Sequence, residues 1–341
     1  MTRIVQAIAG QRHGGAEAFF ERLAGALHEA GETQRLLIRR DAARAARLGR
    51  AGIEVIELPF AGRLDLRTRP MFRRAVAAFG PEVVLTWMSR ATAACPRGAF
   101  VHVARLGGYY DLKYYRACDH LIANTRDIAA WITHAGWPQA RVHYVPNFVA
   151  LETVPALPRA AFGTPDDVPL ALALGRLHPS KGFDVLIEAV ALVPRLHLWL
   201  AGAGTEETAL VARIKALGLD TRVTLLGWRE DTASLYAAAD MLVSSSRLEP
   251  LGNVVIEAWA ARLPVVATAT SGPRALIRDG ENGLLVPIED ADSLAAALRR
   301  LADDRALRDA LAAAGHASYA AEYSAAQVVP RYRELLAAVK R

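Results

Sequence analysis

The chain has neither the long apolar runs of membrane proteins nor the cysteine content of disulfide-rich secreted proteins. A membrane helix needs about 20 consecutive apolar residues, and the most apolar stretch, 185–200, is interrupted by charged residues and a proline. Met1 opens directly into a strand pattern, so no signal peptide is expected. The only two cysteines, Cys95 and Cys118, lack the spacing of a metal site. This pattern is typical of a protein of the reducing cytoplasm.

Other missing motifs exclude further functions. No Asp-x-Asp pair ends a predicted strand, so no metal on a diphosphate is expected. Aromatic residues, 7% of the chain, are not interleaved with the basic runs, so no nucleic-acid partner is expected. The glycine turn at Gly202-Ala203-Gly204 has Glu207 where a dinucleotide fingerprint has its third glycine. That substitution weakens the alternative of a nicotinamide enzyme.

The charge of the chain is unevenly distributed. Residues 1–150 hold 21 Lys and Arg against 12 Asp and Glu, a net charge of +9, and the remainder holds 20 against 23, a net charge of −3. The N-terminal excess suits an anionic membrane surface or a phosphorylated acceptor. An arginine-rich composition that forms solvated faces is the alternative.

Strand and helix patterns alternate along the 341 residues, which predicts an α/β protein with doubly wound parallel sheets. The length suffices for two domains, each with a large core. Proline-rich residues 151–167 read as a linker between a first domain, 1–150, and a second, 168–325. Residues 326–341 form a predicted C-terminal helix.

Two glutamates lie eight positions apart near the start of a predicted helix. Glu249 is in the loop after a predicted strand, and Glu257 is in the second turn of a helix that begins near Asn253. Free amides at a helix start attract anions, and helical side chains lean toward that end. An anion site beside two carboxylates suits a nucleotide sugar, which has both phosphates and hydroxyls. A helix-cap acid and a solvated face are the alternative.

Two glycine-containing loops follow other predicted strands. Gly175-Arg176-Leu177 leads through Lys181-Gly182 into a helix from Phe183, which places two cations at a helix N-terminus. A surface loop with two solvated cations is the alternative. Gly14-Gly15 follows the first predicted strand and lets backbone approach a phosphate closely.

These motifs together resemble the retaining glycosyltransferases of family 4 over nearly the whole chain. The matching features are Glu-x7-Glu with Pro-x-Gly inside it, the Gly175–Gly182 loop and the Gly14-Gly15 turn. The resemblance implies the GT-B fold, in which two doubly wound Rossmann-like domains face each other across a cleft. It also implies metal-independent transfer of a hexosyl group from a nucleotide sugar, with retention at the anomeric carbon. The first domain would bind the acceptor and the second the donor, and the C-terminal helix, 326–341, would pack back on the first domain.

The resemblance assigns roles to single residues. Arg176 and Lys181 would hold the donor phosphates and Glu249 would lie near the donor sugar, so these three are the expected catalytic residues. The other expected donor-binding residues are Gly14, Gly15, Gly202, Gly204, Trp228, Leu251, Gly252, Asn253 and Glu257.

The chain departs from the family at one strand. Many members carry a histidine after the mid-domain strand, whereas here His102 lies inside that predicted strand as a packed residue and Arg105 lies near the expected place. Ligands of such sheets bind beyond the carboxyl ends of the strands. The expected residues on the acceptor or sugar side are His13, Arg105, Tyr109, Asn124 and Asn147.

The stretches Arg105–Tyr115 and Gly136–Pro138 look like the bacterial enzymes that build lipopolysaccharide and related glycans. This likeness implies a UDP-hexose donor, with GDP-mannose left open, and a cell-surface glycan or lipid-linked acceptor at the inner face of the cytoplasmic membrane. One alternative is a catalytically weak nucleotide-sugar-binding module. Another is a glycosidase, which also uses two carboxylates but gives no role to Arg176 and Lys181.

Overall fold

The computed structural model describes residues 1–11, 14–62 and 65–340. It divides into two compact units, of which the first comprises Met1–Phe148 with Ala325–Arg341 and the second comprises Val149–Ser324. Each unit is built on one sheet whose strands pair in parallel, with helices between successive strands. The predicted doubly wound α/β architecture is therefore confirmed.

The first unit has a seven-stranded sheet of order β3-β2-β1-β4-β5-β6-β7. Its strands are β1 (Arg3–Ile8), β2 (Thr33–Arg39), β3 (Glu54–Leu58), β4 (Val83–Trp87), β5 (Val101–Leu106), β6 (His120–Ala123) and β7 (Val142–Tyr144). Its first helices are α1 (Gly15–Glu29), α2 (Ala42–Arg50), α3 (Thr68–Phe79), α4 (Met88–Ala94) and α5 (Arg126–His134). All five residues of β4 and all six of β5 are buried, as expected of strands covered by helices on both faces.

The second unit has a six-stranded sheet of order β10-β9-β8-β11-β12-β13. Its strands are β8 (Leu170–Leu174), β9 (His197–Ala201), β10 (Val223–Gly227), β11 (Met241–Ser244), β12 (Val265–Thr268) and β13 (Leu284–Val286). Its helices are α6 (Phe183–Ala191), α7 (Glu207–Ala216), α8 (Thr232–Ala238), α9 (Asn253–Ala260), α10 (Ser271–Leu276), α11 (Ala291–Asp303) and α12 (Arg305–Ser318). In both sheets the strand order reverses at the centre, between β1 and β4 and between β8 and β11. Ligands of such sheets bind at this reversal, beyond the carboxyl ends of the strands.

The C-terminal helix α13 (Ala325–Val339) belongs to the first unit. Its buried residues Val328, Tyr332 and Leu336 share a core with the apolar face of α1. Arg333 of the same helix donates to Glu32 Oε1 at 2.8 Å, and Glu32 is 5% exposed. The helix is thus attached by both an apolar face and an ion pair.

The segment 151–167, predicted as a linker, lies within the second unit. Leu157 and Phe162 pack against its core, and the Phe162 ring meets that of Trp199 edge-on at 5.0 Å. Trp199 Nε1 donates to Thr164 Oγ1 at 2.9 Å. Regular structure in this segment is limited to a short 3₁₀ helix, Arg159–Phe162, and the prolines do not prevent packing.

Candidate functional site

The reversal of strand order in the second unit brings two loops together. One follows β8 and covers residues 175–182, and the other follows β11 and covers residues 245–252. The amides of Arg247 and Leu248 both donate to the carbonyl of Ser180, at 2.8 and 3.2 Å. Ser245 Oγ donates to the carbonyl of Lys181 at 2.9 Å. The two loops are therefore fixed to each other by hydrogen bonds to backbone carbonyls, at the edge of the sheet where a ligand binds.

Lys181 and Glu249 meet in these loops. Lys181 Nζ lies 2.5 Å from Glu249 Oε2, and the two side chains are 21% and 14% exposed. Glu249 Oε1 accepts from the Gly252 amide at 3.2 Å, and the Glu249 carbonyl accepts from the Gly272 amide at 2.8 Å. The structure thus places in direct contact two residues that are 68 positions apart and were predicted for one site. An incoming phosphate would compete with the Glu249 carboxylate for the same ammonium group.

Arg247, which was not among the predicted site residues, holds the second loop onto α6. Its guanidinium donates to both carboxylate oxygens of Asp184, at 2.9 and 2.8 Å, and to Glu289 Oε1 at 2.6 Å. These hydrogen bonds raise the pKa of Arg247 above its usual range, and the bond from Arg247 lowers the pKa of Asp184. Bidentate pairing fixes orientation as well as charge. Only the position of Arg247, two residues before Glu249, could have indicated this function.

Glu257 lies in the second turn of α9, as predicted. Its Oε2 accepts from the hydroxyl of Tyr236 at 2.9 Å. Tyr236 is buried, and burial together with the negative charge of Glu257 raises its pKa well above the usual value, so the phenol stays a donor. The sequence did not identify Tyr236, because its apolar surroundings in α8 are those of any core tyrosine.

Three glycines in the predicted loops of the second unit allow backbone segments to come into contact. A Cβ atom on Gly182, whose φ is +60°, would lie 2.2 Å from the carbonyl oxygen of Ser245. A Cβ atom on Gly202 would lie 1.8 Å from the Gly175 oxygen, and one on Gly204 would lie 2.3 Å from the Leu177 oxygen. The Gly202–Gly204 turn therefore packs against the 175–182 loop, a packing role that needs no dinucleotide.

The remaining residues predicted for the donor side differ in exposure. Arg176 is exposed, and its guanidinium makes no ion pair or hydrogen bond within the described part of the chain. Trp228, which follows β10, is 53% exposed, whereas Leu251 is 6% exposed. Gly252, with φ +80°, precedes Asn253 at the start of α9. The Arg176 side chain thus remains open to solvent-borne anions, whereas the residues just before α9 are buried and the Gly252 amide already donates to Glu249.

In the first unit, the turn after β1 wraps around a buried carboxylate. Glu17 is 5% exposed and its Oε1 accepts from the Gln11 amide at 2.7 Å. Cβ atoms on Gly10 and Gly14 would lie 2.5 and 2.3 Å from its oxygens. A side chain at Gly10 or Gly14 would therefore displace the Glu17 carboxylate. Gly15 is the first residue of α1. The predicted residue His13 lies outside the described residues.

Arg105, predicted to follow a strand, lies inside β5 and is 3% exposed. Its guanidinium stacks on the rings of Phe19 and Trp87, at 4.8 and 4.7 Å. Nη2 donates to Asn147 Oδ1, while Nε has no partner. No carboxylate among the described residues pairs with this buried cation. The sequence missed the extension of the strand because an arginine is rarely buried without a carboxylate.

Two hydrogen-bond donors lie close to Gly107, beside the stacked Arg105 side chain. The position that a Cβ atom on Gly107 would take lies 3.2 Å from Arg105 Nη1 and 3.6 Å from Asn124 Nδ2. Asn124 is 3% exposed and its Oδ1 has no partner. Arg105, Asn124 and Asn147 thus form one group of polar side chains at the carboxyl ends of β5 and β6. Near the position after this strand where the resemblance implies a histidine, the chain instead has a stacked guanidinium.

Two neighbouring residues do not belong to that group. Tyr109 is 45% exposed, and its hydroxyl donates to Asp127 of α5. His102 is 6% exposed and lies with Nε2 2.9 Å from Thr86 Oγ1. Burial lowers the pKa of His102 to about 4, so the ring is neutral at pH 7 and packs as a core residue.

Two features are absent from the described residues. No helix in this part of the chain is both long and apolar enough to cross a membrane. No group of three or more His, Cys, Asp or Glu side chains is arranged to hold a metal ion there.

Comparison with known proteins places these features in a family. The model of glycosyl transferases group 1 matches residues 158–317, and that of Glycosyltransferase Family 4 matches residues 13–153. The lipopolysaccharide core biosynthesis glycosyltransferase LpsE of Rhizobium meliloti is 39% identical over 96% of both chains. LpsD of the same organism, with the same description, is 36% identical over 94% of both chains.

A solved structure gives the fold. HepE of Anabaena, crystallised with UDP, with UDP and glucose, and with UDP-glucose, superposes with a TM-score of 0.85 at 22% identity. The match covers 99% of this chain and 100% of HepE. The two Rossmann-like domains are thus those of a GT-B protein, as the resemblance implied. With both family models matched and relatives aligned over almost their full length, the chain belongs to the family 4 glycosyltransferases, the glycosyl transferases of group 1.

Proposed function

We propose that this glycosyltransferase moves a hexosyl group from a UDP-sugar, with retention at the anomeric carbon, onto a lipopolysaccharide core or a related cell-surface or lipid-linked glycan. The observation that carries the proposal is the Lys181–Glu249 pair at the reversal of strand order in the second sheet. A cation and a carboxylate in contact at that edge fit a ligand with both phosphates and sugar hydroxyls. The names of the Rhizobium relatives and the UDP and glucose bound to HepE support the substrate class.

The donor would be held by the second unit without a metal. Lys181, the solvent-exposed Arg176 and the amide end of α9 offer positive charge to the diphosphate, and this charge stabilises the leaving group as the glycosidic bond breaks. Glu257 would accept hydrogen bonds from the ribose hydroxyls while the Tyr236 hydroxyl holds its carboxylate. Gly202, Gly204 and Trp228 would border the nucleotide.

Retention is best explained by departure of the nucleoside diphosphate from the face that the acceptor hydroxyl attacks. Both carboxylate oxygens of Glu249 already accept hydrogen bonds, from Lys181 and from the Gly252 amide. A carboxylate used in this way is a poor nucleophile. We therefore assign Glu249 the positioning of Lys181 and of the donor sugar, and we assign no covalent intermediate.

The acceptor would be bound by the first unit. Arg105, Asn124 and Asn147 offer buried donors at the carboxyl ends of β5 and β6, with Gly14 and Gly15 at the turn after β1. The net charge of +9 on residues 1–150 would attract the chain to the anionic inner face of the cytoplasmic membrane. We propose a cytoplasmic, peripherally bound enzyme without a nucleic-acid partner.

Calorimetric titration with UDP, GDP, NAD and free sugars tests the donor assignment. We expect UDP to bind, and to bind at least roughly tenfold more weakly to Lys181→Ala and Glu257→Ala, because each loses a charged hydrogen-bonding partner. Lys215→Ala is the matched control, since Lys215 is exposed on α7 of the same unit. Binding of NAD, or of sugars without a nucleotide, would refute the assignment. Release of UDP from UDP-glucose in the presence of an acceptor separates a transferase from a mere binding module.

Binding to vesicles tests the membrane assignment independently. At low salt the chain should sediment with phosphatidylglycerol vesicles but not with phosphatidylcholine vesicles, and 0.5 M salt should release it, because surface attraction is screened. Equal sedimentation with both vesicles would contradict this part of the proposal.

A further inference from the structure

We propose that the first unit carries an oxyanion subsite, at the carboxyl ends of β1 and β2, that binds a phosphate monoester of the acceptor sugar. The inference rests on the proposed function for the word acceptor, but the subsite itself rests on geometry and charge alone. It lies apart from Arg105, Asn124 and Asn147, on the other side of β1 in the sheet order.

The subsite is a concave pocket of about 250 Å³. It is lined by Gly10, Gln11, Arg39, Arg40, Asp41 and Arg44. Three arginines against one aspartate give the lining a net charge of +2. The volume is below the roughly 300–1,000 Å³ of clefts that hold drug-sized ligands. It therefore fits one charged group of a larger molecule rather than a whole nucleotide.

Arg44 forms the fixed wall of the pocket. Its side chain is 1% exposed, with Nε 2.7 Å from Glu21 Oε1 and Nη1 3.3 Å from Asp41 Oδ2. Nη2 donates to the carbonyl of Gln11 at 2.9 Å, which attaches the turn after β1 to α2. The charge of Arg44 is thus already compensated, and its contribution is to position the backbone around the pocket.

Arg39 and Arg40 supply the uncompensated charge. Arg39 ends β2, and the parallel pairing of Ile38 with Ile8 places it beside the start of the glycine turn. Arg40 follows, with its amide bonded to the Leu58 carbonyl at 3.2 Å, so its backbone is held by β3. Within the described ranges neither guanidinium makes an ion pair or a side-chain hydrogen bond. Two like charges that line one pocket repel each other, and an anion bound between them would reduce that repulsion.

Phosphate is the ligand that matches this arrangement. The planar guanidinium fork bonds phosphate oxygens in pairs, and a phosphate monoester at pH 7 carries between one and two negative charges. A pocket of the same volume at the amino edge of the second sheet provides a contrast. It has three arginines, Arg159, Arg195 and Arg308, against four aspartates, Asp166, Asp167, Asp240 and Asp303, which gives its lining a net charge of −1. Of these two pockets, the one in the first unit has the spare positive charge.

The test compares glucose 6-phosphate with glucose as probes on the full chain at low salt, by ligand-observed NMR. We expect glucose 6-phosphate to bind and glucose not to bind. Arg39→Gln/Arg40→Gln should weaken that binding by roughly tenfold or more, because two charged hydrogen-bond donors are lost. Arg73→Gln/Arg74→Gln, which removes two exposed arginines of α3 and the same charge, should change it less than about twofold. Circular dichroism establishes that both variants are folded.

Chemical modification gives a second measurement that needs no variant. Phenylglyoxal reacts with accessible guanidinium groups, and peptide mass spectrometry locates the adducts. Glucose 6-phosphate should protect Arg39 and Arg40 and leave Arg73 and Arg74 reactive.

Four results would refute the subsite. The first three are no binding of glucose 6-phosphate, equal loss of that binding in both double variants, and no protection of Arg39 and Arg40 from phenylglyoxal. The fourth is that Arg39→Gln/Arg40→Gln loses binding to phosphatidylglycerol vesicles but keeps binding to glucose 6-phosphate. The last would assign the arginines to the membrane surface. UDP affinity, measured on the same samples, keeps the two proposals separate, because UDP is assigned to the second unit. If UDP fails to bind while Arg39 and Arg40 still govern glucose 6-phosphate, the subsite stands and its assignment to an acceptor falls.

Discussion

Replacement of Gly182 by alanine should both destabilise the second unit and weaken donor binding. Gly182 has φ +60°, and its new Cβ atom would lie 2.2 Å from the Ser245 carbonyl oxygen, which is backbone and cannot rotate away. Gly218 is the matched control, since its φ is +63° and a Cβ atom there would meet nothing within 4 Å. Gly182→Ala therefore has a conformational cost and a clash, whereas Gly218→Ala has only the conformational cost.

The expected magnitudes follow from these two terms. A left-handed alanine costs roughly 1–2 kcal/mol, and displacing packed backbone costs roughly another 1–3 kcal/mol. We expect Gly218→Ala to lose about 1–2 kcal/mol of unfolding free energy and Gly182→Ala about 2–5 kcal/mol. The gain from a less flexible unfolded chain is common to both variants and cancels in the comparison.

Differential scanning calorimetry and UDP titration test both effects. For a unit of the size of Val149–Ser324, about 1 kcal/mol shifts the melting temperature by roughly 2–4 °C. Only Gly182→Ala should also weaken UDP binding, because moving Ser245 moves the Lys181 carbonyl that is bonded to it. If both variants melted at the same temperature and bound UDP equally well, the argument that the two loops are fixed against each other would be refuted.

Further predictions concern hydrogen bonds and titrating groups. Tyr236→Phe should weaken UDP binding by roughly two- to tenfold, the value of one neutral or charge-assisted hydrogen bond, with little change in melting temperature; an unchanged affinity would show that the hydroxyl does not orient Glu257. Arg247→Met should reduce the acid sensitivity of the fold, because the lowered pKa of Asp184 gives stability above its usual value near 4 that is lost as pH falls; identical pH profiles of melting temperature would contradict this. Burial lowers the pKa of His102 from 6.5 to about 4. The free energy of unfolding should therefore be highest above pH 6.5 and fall by about 3 kcal/mol as the pH drops from 6.5 to 4, because the unfolded state takes up the proton first. In His102→Gln the urea midpoint of unfolding should depend less on pH over that range, and an equally steep dependence would show that His102 is not its cause.

The local sequence pattern determined the elements of this fold. The alternating Leu and Ala of β8 and the apolar run of β4 identify buried strands, and glycine and proline mark where strands end. The helix at Asn253 was located because Gly252 supplies a left-handed residue just before an apolar run. The helix α2 was missed, since only Arg44 and Leu48 of its nine residues are buried and no apolar stripe results.

The sequence by itself therefore determined the fold class and the family, and it identified Lys181, Glu249 and Glu257 as candidates whose roles stay predictions. Only the tertiary structure decided which side chains meet. Lys181 touches Glu249 across 68 residues because β8 and β11 are neighbours in the sheet, and strand order is not written in any local pattern. The Tyr236–Glu257 bond and the stacking of Arg105 arise in the same way, since each depends on which helix covers which strand. Local preferences set by a few neighbouring residues can specify an element, whereas the contacts of a site are set by packing between elements distant in the chain.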